Sequence, residues 1–234
     1  MARTLIKNGT VVSPTGRHEQ DVLIDGEIIV ALYARGHADA MGVTADKVID
    51  AKGKYVVPGG IDVHTHMELP FGGTFASDTF ETGTTAAAWG GVTTIVDFAV
   101  QRYGENVQKS LAEWHAKAAG NCSIDYAFHQ IIGGIDDQAL ADMDYLVKNE
   151  GITSFKLFMA YPGVFYSDDG QILRAMQQAG NNGSEGAWLN HPYAARKRPS
   201  SGYLTSTVAP AASRSFFQDS ASALLTPSLT VFGA

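Results

Sequence analysis

Four times between residues 56 and 183 an apolar, β-branched run gives way to a capped helical stretch that ends at a glycine. This alternation restricts the fold more than any other feature. A helix that follows each strand must cross back over the sheet, so successive strands lie parallel with right-handed crossovers. The strands are read around Val56, Val57, Ile61 and Val63, interrupted by Pro58-Gly59-Gly60, and then at Val92 to Phe98, Ile124 to Gln130 and Ile152 to Ala160. The helices are read at Asp78 to Trp89, Glu105 to Ala119, Asp136 to Asn149 and Asp169 to Ala179. Asp78 is expected to cap the first, with Glu81 at capping-box spacing. Gly90-Gly91, Gly120, Gly151 and Gly180 are expected to stop the four in turn. A repeat of roughly 30 residues suits a (β/α)8 barrel or an open doubly wound sheet. No GxGxxG follows the first strand, which weakens the dinucleotide-binding version of the second choice.

The first 55 residues read differently, as small β structure. Lys7-Asn8-Gly9 is a turn signal between Leu5-Ile6 and Val11-Val12. Asp25-Gly26 between two apolar runs predicts a hairpin. Gly53, between Lys47 to Asp50 and Tyr55 to Val57, predicts another. Residues 34–46 are expected to be a loop. The first 55 residues therefore form a small sheet-based domain beside the main one.

The net charge of −7 and the lack of a basic stripe argue against a nucleic-acid surface. The single cysteine, Cys122, excludes an internal disulfide and fits a reducing cytoplasm; it is expected to be buried packing. MARTLIKNG lacks the apolar core of a signal peptide, and no run of 18 apolar residues is present. The expectation is a soluble, cytoplasmic, acidic globular protein, with neither nucleic acid nor membrane as partner.

Barrel enzymes place their chemistry at the C-terminal ends of the strands. The first strand offers His64 and His66. Residues two apart on an extended chain face the same side, so both imidazoles can reach one divalent metal while Thr65 turns away. Taken alone, the pair also reads as two polar residues at a strand end. The fourth strand carries Lys156 between Phe155 and Leu157. That lysine either reaches for the rim or pairs with Asp97, or it is desolvated and has a depressed pKa. A neutral amine can take up carbon dioxide as a carbamate, an anionic ligand able to bridge two metals. His129 and Asp97 are read as core or supporting groups.

PGGIDVHTHMELPFGGT resembles the metal-binding signature of cyclic amidohydrolases. ASDTFETGTTAAAWGGVTTIVDFA and SFKLFMAY narrow the resemblance to dihydropyrimidinases and D-hydantoinases, over about Thr4 to Gly183. The resemblance implies an α/β fold: the first half of a TIM-like (β/α)8 metal-dependent hydrolase barrel over 56–183, preceded over 1–55 by the N-terminal part of a small β-sandwich. It implies that His64 and His66 bind the first of two zinc ions. It implies that Lys156 is the carbamylated bridging lysine, and that Tyr161 hydrogen-bonds the substrate carbonyl. The implied reaction opens 5,6-dihydrouracil or a hydantoin to an N-carbamoyl amino acid, in a homotetramer. Allantoin and dihydroorotate are the alternative substrates.

After Gly183 the resemblance stops. The family pattern takes further ligands from an HAEN-like segment, from the sixth strand and from an aspartate near the eighth, whereas here SEGAWLNHPYAARKRPSS follows. His191 lies near the expected position but outside that motif. Residues 184–234 hold 2 acidic and 4 basic residues, against 22 and 13 in the rest of the chain, and include nine serines and nine alanines. Such a tail, without a period except around Leu224 to Phe232, is expected to be irregular and poorly ordered. The abrupt change points to a shifted reading frame or a sequencing error and an early stop. The expected consequence is a chain with little or no hydrolase activity, or a non-catalytic fragment or assembly partner of the same fold.

Overall fold

The structure of the protein, a computed structural model, describes residues 2–190 and 229–233. His191 and the rest of the tail lie outside the described residues. The described residues form two compact units that divide between Gly60 and Ile61.

The first unit is β structure: β1 (Arg3–Lys7), β2 (Thr10–Ser13), β3 (Gly16–Asp25), β4 (Ile28–Ala34), a one-turn helix α1 (His37–Ala40), β5 (Lys47–Asp50) and β6 (Lys54–Pro58). The Asp25-Gly26 hairpin forms, with Asp25 opposite Ile28 and Gly26 at φ 61°. Period-2 alternation decides the packing. Leu5 and Leu23 oppose each other on one face with Ala38; Ile6 and Val22 oppose each other on the other face with Ala51 and Val56. The hairpin expected at Gly53 does not form. Gly53 turns the chain at φ 71°, but β5 runs parallel to β1 and β6 parallel to β2, because each finds its partner on a strand already in place. Residues 34–46, expected as a loop, contain α1. The tail strand Leu229–Gly233 pairs antiparallel with β6, within the one stretch of the tail that hinted at a period.

The second unit is the alternating one: β7 (Gly60–Thr65), a two-residue ribbon of β8 (Pro70–Phe71) and β9 (Thr74–Phe75), α2 (Phe80–Trp89), β10 (Val92–Val100), α3 (Val107–Ala118), β11 (Asp125–Ile131), α4 (Asp137–Tyr145), β12 (Ser154–Phe158), α5 (Asp169–Asn182) and β13 (Glu185–Asn190). One sheet takes the order β13-β12-β11-β10-β7, with the β10–β11, β11–β12 and β12–β13 pairs parallel. This is the α/β architecture with parallel strands that the alternation requires. Its core runs from Phe80 and Ile95 through Phe98, Leu111 and Trp114 to Phe155, Leu157 and Ala175. β13 is the fifth strand of this sheet, parallel to β12, in a segment whose sequence shows no strand period. No described helix is long and apolar enough to cross a membrane.

Several boundaries differ from the sequence reading. Thr79, not Asp78, caps α2: its hydroxyl accepts from Thr82 N (3.1 Å), and the Thr82 hydroxyl accepts from Thr79 N (3.0 Å). The Asp78 carbonyl instead accepts from Glu68 N. Asn106, Asp136 and Asp168 cap α3, α4 and α5 through their side chains. α4 continues into a turn of π-helix, Leu146–Glu150, before Gly151 ends it at φ 70°. Gly180 does not stop α5. The helix runs through it to Gly183, the first position with the left-handed backbone that closes a helix. Pro58-Gly59-Gly60 separates two strands with different partners, so the expected single run is β6 and β7. Ile61 and Val63 are 47% and 44% exposed rather than buried, because β7 stands at the end of its sheet.

Candidate metal centre

β7 brings His64 and His66 to one face at its end. Their rings meet edge to face with centroids 5.2 Å apart. The Asp62 carboxylate accepts from the His64 backbone N (3.1 Å), a contact within the strand. β12, two strands beyond β10, carries Lys156, which is 3% exposed. Its Nζ lies 3.4 Å from His66 Nε2. The three candidate ligands from sequence therefore converge.

Phe98 on β10 holds this group together. Its ring centroid is 5.0 Å from both His64 and His66, 4.7 Å from His129 and 4.3 Å from Lys156 Nζ. The Phe158 ring also lies over the amine, at 5.1 Å. An aromatic residue in an apolar strand reads as core, so sequence reasoning passed over Phe98. Its register opposite His129 is the signal that could have found it.

The surroundings push proton equilibria in one direction. Burial lowers the Lys156 pKa with no carboxylate to offset it, so the lysine neither reaches the rim nor pairs with Asp97. Burial also takes His66 down to about 4, assisted by the nearby Lys156 and His64 charges, and lowers His64 with help from Lys156. These shifts favour the neutral forms of the imidazoles and of the amine, the forms in which nitrogen binds metal.

Supporting groups surround the cluster. His129 donates Nε2–H to the Val63 carbonyl (3.0 Å) and accepts at Nδ1 from the Ser154 hydroxyl. Asp97, inside β10 and fully buried, accepts at Oδ2 from the Thr65 hydroxyl and Met67 N (both 2.8 Å), and at Oδ1 from Trp114 Nε1 (3.2 Å). Burial raises its pKa despite these bonds. Cys122 precedes β11, half-buried against the core.

Tyr161 follows β12 in a left-handed backbone conformation, φ 62°, which a bulky residue rarely adopts. Its carbonyl accepts from the N–H groups of Val164 and Phe165. Its half-exposed ring packs on Phe71 (5.2 Å) and Phe158 (5.8 Å). Phe158 thus touches both Tyr161 and Lys156.

Among the described residues no three His, Cys, Asp or Glu side chains are grouped to hold a metal ion. The nitrogen set of His64, His66 and Lys156 nevertheless fits one. His66 Nδ1 is buried and has no hydrogen-bond partner among the described residues, a costly arrangement for a polar atom that serves only packing. Imidazole and a carbamylated amine both suit zinc-like divalent ions.

Comparison with known proteins agrees with this picture. Residues 47–121 match the amidohydrolase family. The chain is 60% identical over 182 residues to a D-hydantoinase of Streptomyces coelicolor, covering 78% of this chain and 39% of that protein. The chain belongs to the D-hydantoinase and dihydropyrimidinase family. A D-hydantoinase of Geobacillus stearothermophilus is 51% identical over 176 residues, 75% of this chain and 36% of the relative. The crystal structure of a dihydropyrimidinase from Brevibacillus agri superposes with a TM-score of 0.75 at 45% identity, over 80% of this chain and 40% of the other. The chain thus spans about two fifths of the length of these relatives. Membership in a family of metal-dependent hydrolases is consistent with a metal cofactor.

Proposed function

We propose that this chain carries the metal-binding part of a cyclic amidohydrolase that opens 5,6-dihydrouracil or a hydantoin to an N-carbamoyl amino acid. The observation that carries the proposal is the buried Lys156 amine 3.4 Å from His66 Nε2, with His64 beside it. In this reading His64, His66 and the carbamate of Lys156 would hold zinc, with two ions per subunit expected for the full site. Zinc held there would activate water at neutral pH and polarise the ring carbonyl. The chain's own residues prepare for that role. The Phe98 and Phe158 rings wall the Lys156 amine, and desolvation shifts it toward the neutral form, the form that adds carbon dioxide, with loss of one proton, to give the carbamate. The Tyr161 hydroxyl is read as the donor to the substrate carbonyl oxygen as negative charge develops there.

Residues 1–55 are then the N-terminal part of a β-sandwich, residues 56–183 part of a barrel and residues 184–234 an additional tail. The protein is read as cytoplasmic, with a homotetramer as the family's assembly. The coverage of two fifths of the relatives' length favours a second reading, a non-catalytic fragment or assembly partner. A chimera separates the two. Residues 1–183 joined to the remaining length of the Streptomyces D-hydantoinase should open hydantoin and dihydrouracil, and Lys156→Ala should abolish that activity, while the 234-residue chain alone shows little or none. A folded chimera without ring-opening activity would favour the fragment.

A further inference from the structure

Asp97 is a buried carboxylate with both of its oxygens engaged. Oδ2 takes the Thr65 hydroxyl and the Met67 backbone N, each at 2.8 Å. Thr65 stands between His64 and His66, and Met67 follows them. Alternation turns Thr65 away from the histidines, so Asp97 grips the strand end from the side opposite the imidazoles. His129 adds a hold one residue earlier, at the Val63 carbonyl. Positions 63, 65 and 67 are thus tied to neighbouring strands, and positions 64 and 66 project between the ties. β7 lies at the end of its sheet, where such ties fix a side-chain direction that pairing on one edge alone leaves loose. A buried carboxylate is costly, and an apolar residue would pack the same space more cheaply.

We propose that Asp97 is a positioning residue of the metal centre: through Thr65 and Met67 it sets the spacing and direction of the His64 and His66 imidazoles. The proposal rests on the metal-binding reading above. Groups that orient metal ligands typically contribute 10–100-fold in affinity.

The test is cobalt(II) titration of the full chain, read by visible absorption, with circular dichroism to confirm folding. Asp97→Ala should weaken cobalt binding about 10–100-fold, and Thr65→Val, which removes only the hydroxyl, about 10-fold. Trp114→Phe removes the bond to the other carboxylate oxygen and should leave affinity within about twofold while lowering the melting temperature. Asp97→Asn in the Trp114→Phe background keeps an amide oxygen for Thr65 and Met67 and should retain affinity within about threefold, a rescue that bulk packing would not produce. If Asp97→Ala fails to fold, Thr65→Val carries the test. Unchanged affinity in folded Asp97→Ala, or in Thr65→Val, overturns the proposal and leaves the metal reading standing. Cobalt binding that is absent from the native chain, or indifferent to His66→Ala, overturns the metal reading and this proposal with it.

Discussion

Lys156 and His66 lie 90 positions apart in the chain, and the lysine amine sits 3.4 Å from the histidine Nε2 in a pocket walled by Phe98 and Phe158. A buried amine without a carboxylate is a cost to folding, so replacing it with an apolar side chain of similar length should relieve that cost. Lys156→Met is expected to raise stability by about 1–2 kcal/mol. It should also remove any dependence of metal uptake on bicarbonate. Urea unfolding and metal titration with and without bicarbonate check both halves; a destabilised Lys156→Met would contradict the desolvation argument.

Phe98 contacts four members of the cluster, so its loss should affect fold and site differently. Phe98→Ala is expected to cost about 3–5 kcal/mol, as for other large buried aromatics. Phe98→Leu should keep most of the fold but lose the flat surface against which the His64, His66 and His129 rings pack, weakening metal affinity more than stability. Parallel unfolding and cobalt titrations would show it.

Two glycines make opposite predictions. A Cβ on Gly180 would meet nothing within 4 Å, and the residue lies inside α5, so Gly180→Ala should stabilise by about 1 kcal/mol. A Cβ on Gly133 would lie 2.3 Å from the Gln101 carbonyl oxygen, a backbone atom that cannot swing aside. Gly133→Ala should cost about 1–3 kcal/mol. Thermal melts of both variants decide the matter.

Burial, followed by the nearby Asp97 charge, pushes the Cys122 thiol up to about 11. Raising a thiol's pKa disfavours the thiolate at neutral pH. At pH 8 alkylation by iodoacetamide should run about 100-fold slower than for an ordinary thiol, and the rate should climb as the pH rises toward 11. Alkylation at the ordinary rate at pH 8 would contradict the assigned environment.

Much of this was legible in the sequence, for local reasons. The strand and helix alternation from residue 56 showed because apolar runs end in caps and glycines, and these signals act within a few residues. The errors also follow from locality. Asp78 and Thr79 are both good caps, and only the Thr82 hydroxyl decides between them. Gly180 resembles a stop, but helix termination needs the left-handed backbone that Gly183 supplies. Gly53 makes a turn, but whether two strands pair across it depends on β1 and β2, which are remote in sequence. In the site, His64 and His66 were readable from alternation, and Lys156 from being a charge in an apolar strand. Their convergence spans 90 positions and depends on strand order. Asp97 read only as a core or supporting group because nothing local showed that it reaches back to Thr65 and Met67.

The most direct test is anomalous diffraction at the zinc edge from crystals of the chain grown with zinc and bicarbonate. The account predicts a peak about 2.0–2.1 Å from imidazole nitrogens of both His64 and His66, with density extending from Lys156 Nζ toward it. A zinc-free site, or zinc bound elsewhere with His64, His66 and Lys156 left in place, would contradict it.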